Sequence, residues 1–280
     1  MKINNHFRRS VLVGFMALAL LVSQFGQALA ITFGQVDAAN QYSNVGAIMI
    51  STPDGNFEFC SGTLIGDRKF LTAGHCTYFL NNFIAAGFFG LSNVKVSFNP
   101  IDDAQPASFW DVEALVTHPD FMITTANAYA DIGMVILSQN PGISPADLAS
   151  VGYLDQLKEN GALVQGQSQA SFTVVGYGAH LSWPPPEVAP GQGERYFTDA
   201  LYQSLTSKWL HYNQNPVVGK GGICFGDSGG PTFWTDSDGR RILVGVNSWV
   251  GAVNCNANGY SYRVDLPEIS SFIQTILNQY

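Results

Sequence analysis

CFGDSGGP, residues 224–231, gathers more reactive chemistry than any other stretch of this 280-residue chain. Ser228 stands beside Asp227, among Gly226, Gly229 and Gly230, four positions after Cys224. A serine hydroxyl is a weak nucleophile at neutral pH until a neighbouring base takes its proton, and that base needs an orienting partner. The stretch is therefore either a glycine-rich turn or one member of a catalytic group whose other members lie elsewhere in the chain.

Five histidines are the candidate bases. His6 lies in the N-terminal segment read below as a signal peptide and would leave with it, and His118, His180 and His211 have neighbourhoods without distinctive chemistry. His75, in LTAGHC (71–76), follows the strand-like KFL and abuts Cys76, where a disulfide could fix its backbone. Asp131, in ADIGMVIL (130–137), stands at the mouth of an apolar strand. Alone, each has a plain structural reading: histidines are more often structural than catalytic, and aspartate is common at strand edges and turns.

Together, LTAGHC, DIGMVIL and GDSGGP resemble, in that order, the three signature segments of the trypsin/chymotrypsin family of serine proteases, whose chain order is His, Asp, Ser. The separations are 56 residues from His75 to Asp131 and 97 from Asp131 to Ser228. The likeness runs from about residue 31 to the C-terminus and takes in CSGTLIGDRKFLTAGHC, VVGYG, NSWV, YRV and the closing helix. It implies an all-β fold of two antiparallel six-stranded β-barrels with a C-terminal α-helix. It also implies that Ser228 is the nucleophile, His75 the general base and Asp131 the residue that orients it. The N–H groups of Gly226 and Ser228 would form the oxyanion hole, and no cofactor or metal is required.

The resemblance reassigns Asp227, which touches the serine in sequence but would receive a new N-terminal amine after processing. Lys2, Arg8 and Arg9, the apolar run Val11 to Val22, and Ala28-Leu29-Ala30 read as a signal peptide over 1–30, leaving Ile31 as the first mature residue. ITFG at 31–34 resembles the family's Ile-Val-Gly-Gly start, so Ile31 and Asp227 would form the latch; a start near Val36 is the alternative. A secreted or periplasmic location follows.

The remaining chain is 31–150, the barrel carrying His75 and Asp131, and 151–280, the barrel carrying Ser228 and the helix. Strand-like stretches at 45–51, 94–98, 113–118, 131–138, 171–178 and 241–250 are short, rich in β-branched and aromatic residues, and bounded by turn formers. ENGALVQG (159–166) opens the second series after a long loop, and SWPPPEVAPGQGERY (182–196) is a Pro/Gly-rich loop with extended backbone at its prolines. Convincing helical periodicity appears mainly at the end, where Ile269, Phe272, Ile273, Ile276 and Leu277 fall on one face behind Pro267.

At 46% apolar and 12% charged, the chain suits a large buried core rather than disorder. Removing 1–30 takes away three basic and no acidic residues, so the formal charge moves from −8 to −11. That acidity disfavours nucleic acid and anionic lipid. The expected partner is a polypeptide substrate, met by a monomer that has no membrane attachment after signal removal. Asp102, Asp103 and Glu113 leave calcium open against a reading as solvated charges.

Cys60, Cys76, Cys224 and Cys255 are even in number and suit an oxidising compartment, with three connectivities open from spacing. Zinc would want a close pair such as C-x-x-C, which is missing. The resemblance pairs Cys60 with Cys76 and Cys224 with Cys255.

It also places Gly222 at the base of the primary substrate pocket, Ser248, Trp249 and Val250 along the peptide-pairing strand, and Gly259 at a second wall. Relatives that cut after Lys or Arg carry aspartate at the first of these. Here Gly222 lacks charge, Val250 narrows the pocket and Gly259 leaves its side open, which implies cleavage after small or medium apolar residues. Acid preference through Lys220 is disfavoured because Asn247 replaces a histidine common in acid-cleaving relatives. A catalytically silent binding module of the same fold is the competing class. An α/β-hydrolase would place its histidine last.

Overall fold

Twelve strands close into two barrels in the computed structural model, which describes residues 31–100, 109–124, 128–167, 169–182, 187–189, 193–215 and 221–280. The first barrel uses β1 (Val45–Thr52), β2 (Gly55–Leu64), β3 (Lys69–Thr72), β4 (Val94–Ser97), β5 (Phe109–Thr117) and β6 (Gly133–Leu137). Their order is β1-β2-β3-β6-β5-β4, closed by antiparallel pairing of β1 with β4. β6 lies between β3 and β5 and all five of its residues are buried, as its unbroken apolar run dictates for a central strand.

The second barrel uses β7 (Ser171–Gly176), β8 (Tyr196–Leu205), β9 (Trp209–Asn213), β10 (Pro231–Thr235), β11 (Arg241–Val250) and β12 (Asn258–Arg263). It runs β8-β7-β10-β11-β12-β9 and closes where β9 pairs with β8. All twelve strands pair antiparallel within their barrels, so no long sheet edge remains unpaired.

Segments flanking the barrel strands cross between the barrels. Gln35–Val36 pairs with Tyr196 and Phe197 of the second barrel, and Asp147–Leu148 adds to β11 in parallel. The C-terminal helix α3 (Pro267–Gln279) returns to the first barrel. There the Phe272 ring lies 4.7 Å from that of His118, and Arg68 Nη2 donates to Tyr280 O at 3.2 Å. A fully buried arginine ties the seam: Arg195 Nη1 donates to Val45 O at 2.9 Å and Phe98 O at 3.1 Å, while its Nε donates to Asp37 at 2.9 Å. Burying such a charge costs several kcal/mol unless it is paired and hydrogen-bonded, and both conditions hold here.

Two helices depart from the expectation of one. α1 (Gly74–Ala85) begins at the histidine segment, and α2 (Tyr153–Glu159) occupies part of the expected loop. Tyr78 and Phe79 of α1 point to solvent while Cys76 and Leu80 are buried, so aromatic residues on the exposed face blur the periodicity that would have revealed it. α2 buries only Leu154, too little for a pattern. With α2 and turns in between, the second strand series begins at Ser171 rather than at 159–166. The proline run at 184–186 lies outside the described residues.

Candidate active site

Three connections between strands carry the candidate residues; His75 and Asp131 are in contact, while among the described residues no hydrogen bond joins His75 to Ser228. His75 is the second residue of α1, Asp131 sits just before β6, and Ser228 lies in the turn leading into β10. Asp131 is completely buried and accepts from His75 N at 2.8 Å and from His75 Nδ1 at 2.9 Å. With Nδ1 as donor, the lone pair of the neutral imidazole is on Nε2, which suits a proton acceptor.

Burial disfavours the imidazolium, but the charge of Asp131 and its hydrogen bond outweigh that and raise the His75 pKa above its ordinary value. For Asp131, burial pushes upward, yet the His75 cation and the hydrogen bonds from His75 and Ser248 leave its carboxyl below the usual range. The sign of the pH response follows. A histidine acting as general base works only when neutral, so any hydrolysis that uses His75 is expected to fall as pH drops through a value above 6.5, the ordinary histidine pKa. Initial kcat/KM from pH 5 to 9 measures it; a flat profile removes His75 as the base.

Ser248 is the site residue that sequence reasoning placed only in the pocket. Its hydroxyl donates to Asp131 Oδ2, and its carbonyl accepts from Ser228 Oγ at 3.3 Å. One residue of β11 thus joins the serine to the buried carboxylate. Its position in NSWV was the available signal.

The serine turn is braced from both barrels. Ser61 N donates to Ser228 O at 2.8 Å, Ser61 Oγ to Gly226 O at 3.0 Å, and Thr72 Oγ1 to Ser61 O at 2.8 Å. Gly226 and Gly229 have φ of 95° and 87°, a region costly for other residues. A Cβ on Gly229 would also lie 2.0 Å from Thr72 Oγ1. Among the described residues, the N–H groups of Gly226 and Ser228 have no acceptor, which leaves both available to an incoming oxygen.

Asp227 is fully buried and accepts from Cys224 N at 2.8 Å and Gly178 N at 2.9 Å. Burial pushes its carboxyl up to about 7 despite these bonds. Ile31 is also buried, and the next residue, Thr32, pairs with Gly222 through bonds of 2.9 and 3.2 Å.

Disulfides join Cys60 to Cys76 beside His75, and Cys224 to Cys255 between the serine turn and the pocket wall. Each contributes on the order of 2 to 4 kcal/mol of stability. The one cluster of possible metal ligands among the described residues is Cys60, His75 and Cys76, whose ligand atoms lie within 4.8 Å. Its two sulfurs are bonded to each other, so it has no thiolate to offer.

A cavity of about 300 Å³ opens beside Ser228, lined by Ile223, Cys224, Phe225, Ser248, Trp249 and Val250 and continuing over Gly251 to Val253. Gly222 and Gly259 do not line it. The side expected to stand open at Gly259 is filled: a Cβ there would lie 2.1 Å from the Tyr212 ring and 2.6 Å from Gln214 Oε1. Asn247 is fully buried, accepting from Thr232 Oγ1 at 2.8 Å and Ser261 Oγ at 3.1 Å, so it plays no part in the cavity. Glu113 is paired with Arg68, while Asp102, Asp103 and Lys220 lie outside the described residues.

Residues 31–273 match the Trypsin family model. The chain belongs to the trypsin family. It is 26% identical over 230 residues to human chymotrypsin-like elastase family member 1, covering 79% of this chain and 81% of that one. It is 26% identical to the trypsin of Phaedon cochleariae, over 68% of each chain, and 27% identical to human chymotrypsin-like elastase family member 3A, over 71% of each. At these identities, the selectivity of this trypsin-family pocket has to be derived from its own residues.

Proposed function

We propose that this trypsin-family protein is an exported serine endopeptidase that cleaves peptide bonds through an acyl-enzyme, after small or medium apolar residues. The observation that carries the reading is the buried Asp131 carboxylate holding His75 through Nδ1, beside a serine turn whose Gly226 and Ser228 N–H groups have no acceptor among the described residues. Ser228 Oγ attacks the scissile carbonyl as His75 Nε2 takes its proton. The carbonyl oxygen, now an anion, accepts from Gly226 N and Ser228 N, each worth about 3 to 4 kcal/mol in the transition state. His75 then gives the proton to the leaving amine, and water releases the acyl group by the same route in reverse.

Substrate backbone has a place to lie. β10 pairs with β11 only as far as Val246, so Ser248 to Val250 offer a free edge next to Ser228 to which an extended peptide adds as a strand. Trp249 is held there by its ring stacked on Tyr260, 3.7 Å between centroids.

In this reading residues 1–30 direct export and leave with their cleavage, which exposes the Ile31 amine. Pairing of that cation with Asp227 would relieve a buried carboxyl whose position is otherwise unfavourable. The protein then acts as a monomer on polypeptides, without nucleic acid or a membrane. The described helices include none long and apolar enough to cross a membrane.

One observation favours the silent binding module: Ser228 Oγ donates to Ser248 O. The two readings separate on secreted protein whose N-terminus has been sequenced. Endopeptidase activity is expected with Ile31 first, together with casein cleavage and labelling of Ser228 by a fluorophosphonate. A first residue well beyond Ile31 sinks the latch, and absence of both labelling and cleavage selects the binding module.

A further inference from the structure

Gln214 follows directly on β9, outside every segment that resembles the family's signatures, and is completely buried. Its side chain occupies the gap between two glycines. A Cβ on Gly222 would lie 2.2 Å from Gln214 Oε1 and 2.4 Å from its Cβ, and a Cβ on Gly259 would lie 2.6 Å from the same oxygen. The two glycines therefore do not make a deep, open pocket; they make room for a glutamine.

The carboxamide is locked in place. Nε2 donates to Ile223 O at 2.9 Å and Cys255 O at 2.8 Å, and Oε1 accepts from Ile223 N at 3.1 Å. Both N–H groups are used, so none remains to bind an acidic side chain, and the group carries no charge to pair with a Lys or Arg. Its partners are residues beside or within the Cys224–Cys255 bridge, which itself borders the cavity at Ser228.

We infer that Gln214 acts as the floor of the primary substrate pocket: it does not itself line the cavity but fills the space next to Ile223, which does, and so limits the length of side chain accepted before the cleaved bond. The inference rests on the endopeptidase reading for its substrate, and it names this residue as the cause of the preference for short apolar side chains. Above the floor, the walls are the apolar Ile223 and Val250 and the disulfide. With the space beside Ile223 filled, the depth left to the pocket suits alanine or valine better than phenylalanine or lysine.

The test compares peptides that differ only in alanine, valine or phenylalanine before the cleaved bond. Gln214→Ala joins the cavity to the space between Gly222 and Gly259, and kcat/KM for phenylalanine relative to valine is expected to rise at least ~10-fold, the scale on which pocket volume discriminates. Gln214→Met keeps the volume without the amide and is expected to retain the original order. Because alanine leaves three buried backbone groups without partners, Gln214→Asn carries the same test on a shorter stem that keeps the amide, with a smaller shift in the same direction. Equilibrium binding of the phenylalanine peptide to Ser228→Ala, with and without Gln214→Asn, reads the pocket without turnover and should tighten several-fold. Unchanged selectivity and binding in the folded variants overturn the role of Gln214. Absence of turnover by the wild type, with the binding shift present, overturns the endopeptidase reading and leaves the floor in place.

Discussion

Ser228→Ala is expected to lower kcat by on the order of 10⁶-fold while leaving peptide binding and the fold intact, the scale seen when the nucleophile of a serine protease triad is lost. The substitution removes one oxygen whose hydrogen bond is to Ser248 O at 3.3 Å and disturbs no buried packing. Residual turnover should persist above the uncatalysed rate, because the N–H groups of Gly226 and Ser228 stay in place to receive an oxyanion. Peptide hydrolysis, fluorophosphonate labelling and thermal unfolding, measured together, check it. A loss confined to KM, or a matching fall in Tm, would show that Ser228 shapes the site without reacting.

Asp131→Asn should cost about 10⁴-fold in kcat, the typical consequence of losing the carboxylate that holds the imidazole in the right tautomer. The geometry explains the size. Asp131 accepts from the ring and the backbone N–H of His75 and from the hydroxyl of Ser248, so an amide in its place presents an N–H toward at least one existing donor. The pH profile separates this from a loss of packing. In the native site the carboxylate outweighs burial and raises the His75 pKa. Without it burial dominates, and the acid limb of kcat/KM should move to lower pH even as the plateau falls. An acid limb in its original place would mean that Asp131 does not govern His75.

The strands were legible because they are short, apolar and bounded by turn residues, a signal that works locally, while their closure into two barrels came only from the family resemblance. α1 was not, because Tyr78 and Phe79 face solvent and mask its buried stripe. The candidate catalytic residues stood out through motif order, since glycine, serine and aspartate at a tight turn leave a dense trace in the sequence. Ser248 was legible as a pocket residue but not as a partner of Asp131: that hydroxyl bond spans 117 residues and depends on how the barrels meet. Gln214 left no trace at all. What makes it a floor is the missing Cβ on two distant glycines, and sequence alone reads those absences as open space.

On the endopeptidase reading, the segments that cross between the barrels bear on how the protein would survive its own company. Self-digestion needs an extended segment of about a strand's length, and such segments come from partly opened molecules. Residues 35–36 are pinned to the second barrel and α3 to the first, with Arg195 bonded across the seam. Parting the barrels therefore means detaching both segments and stranding a buried cation, which couples those openings into one rare event. On the endopeptidase reading proposed above, resistance to mutual cleavage is expected to be a property of these crossed segments, with the rate of their joint release setting the lifetime of the protein.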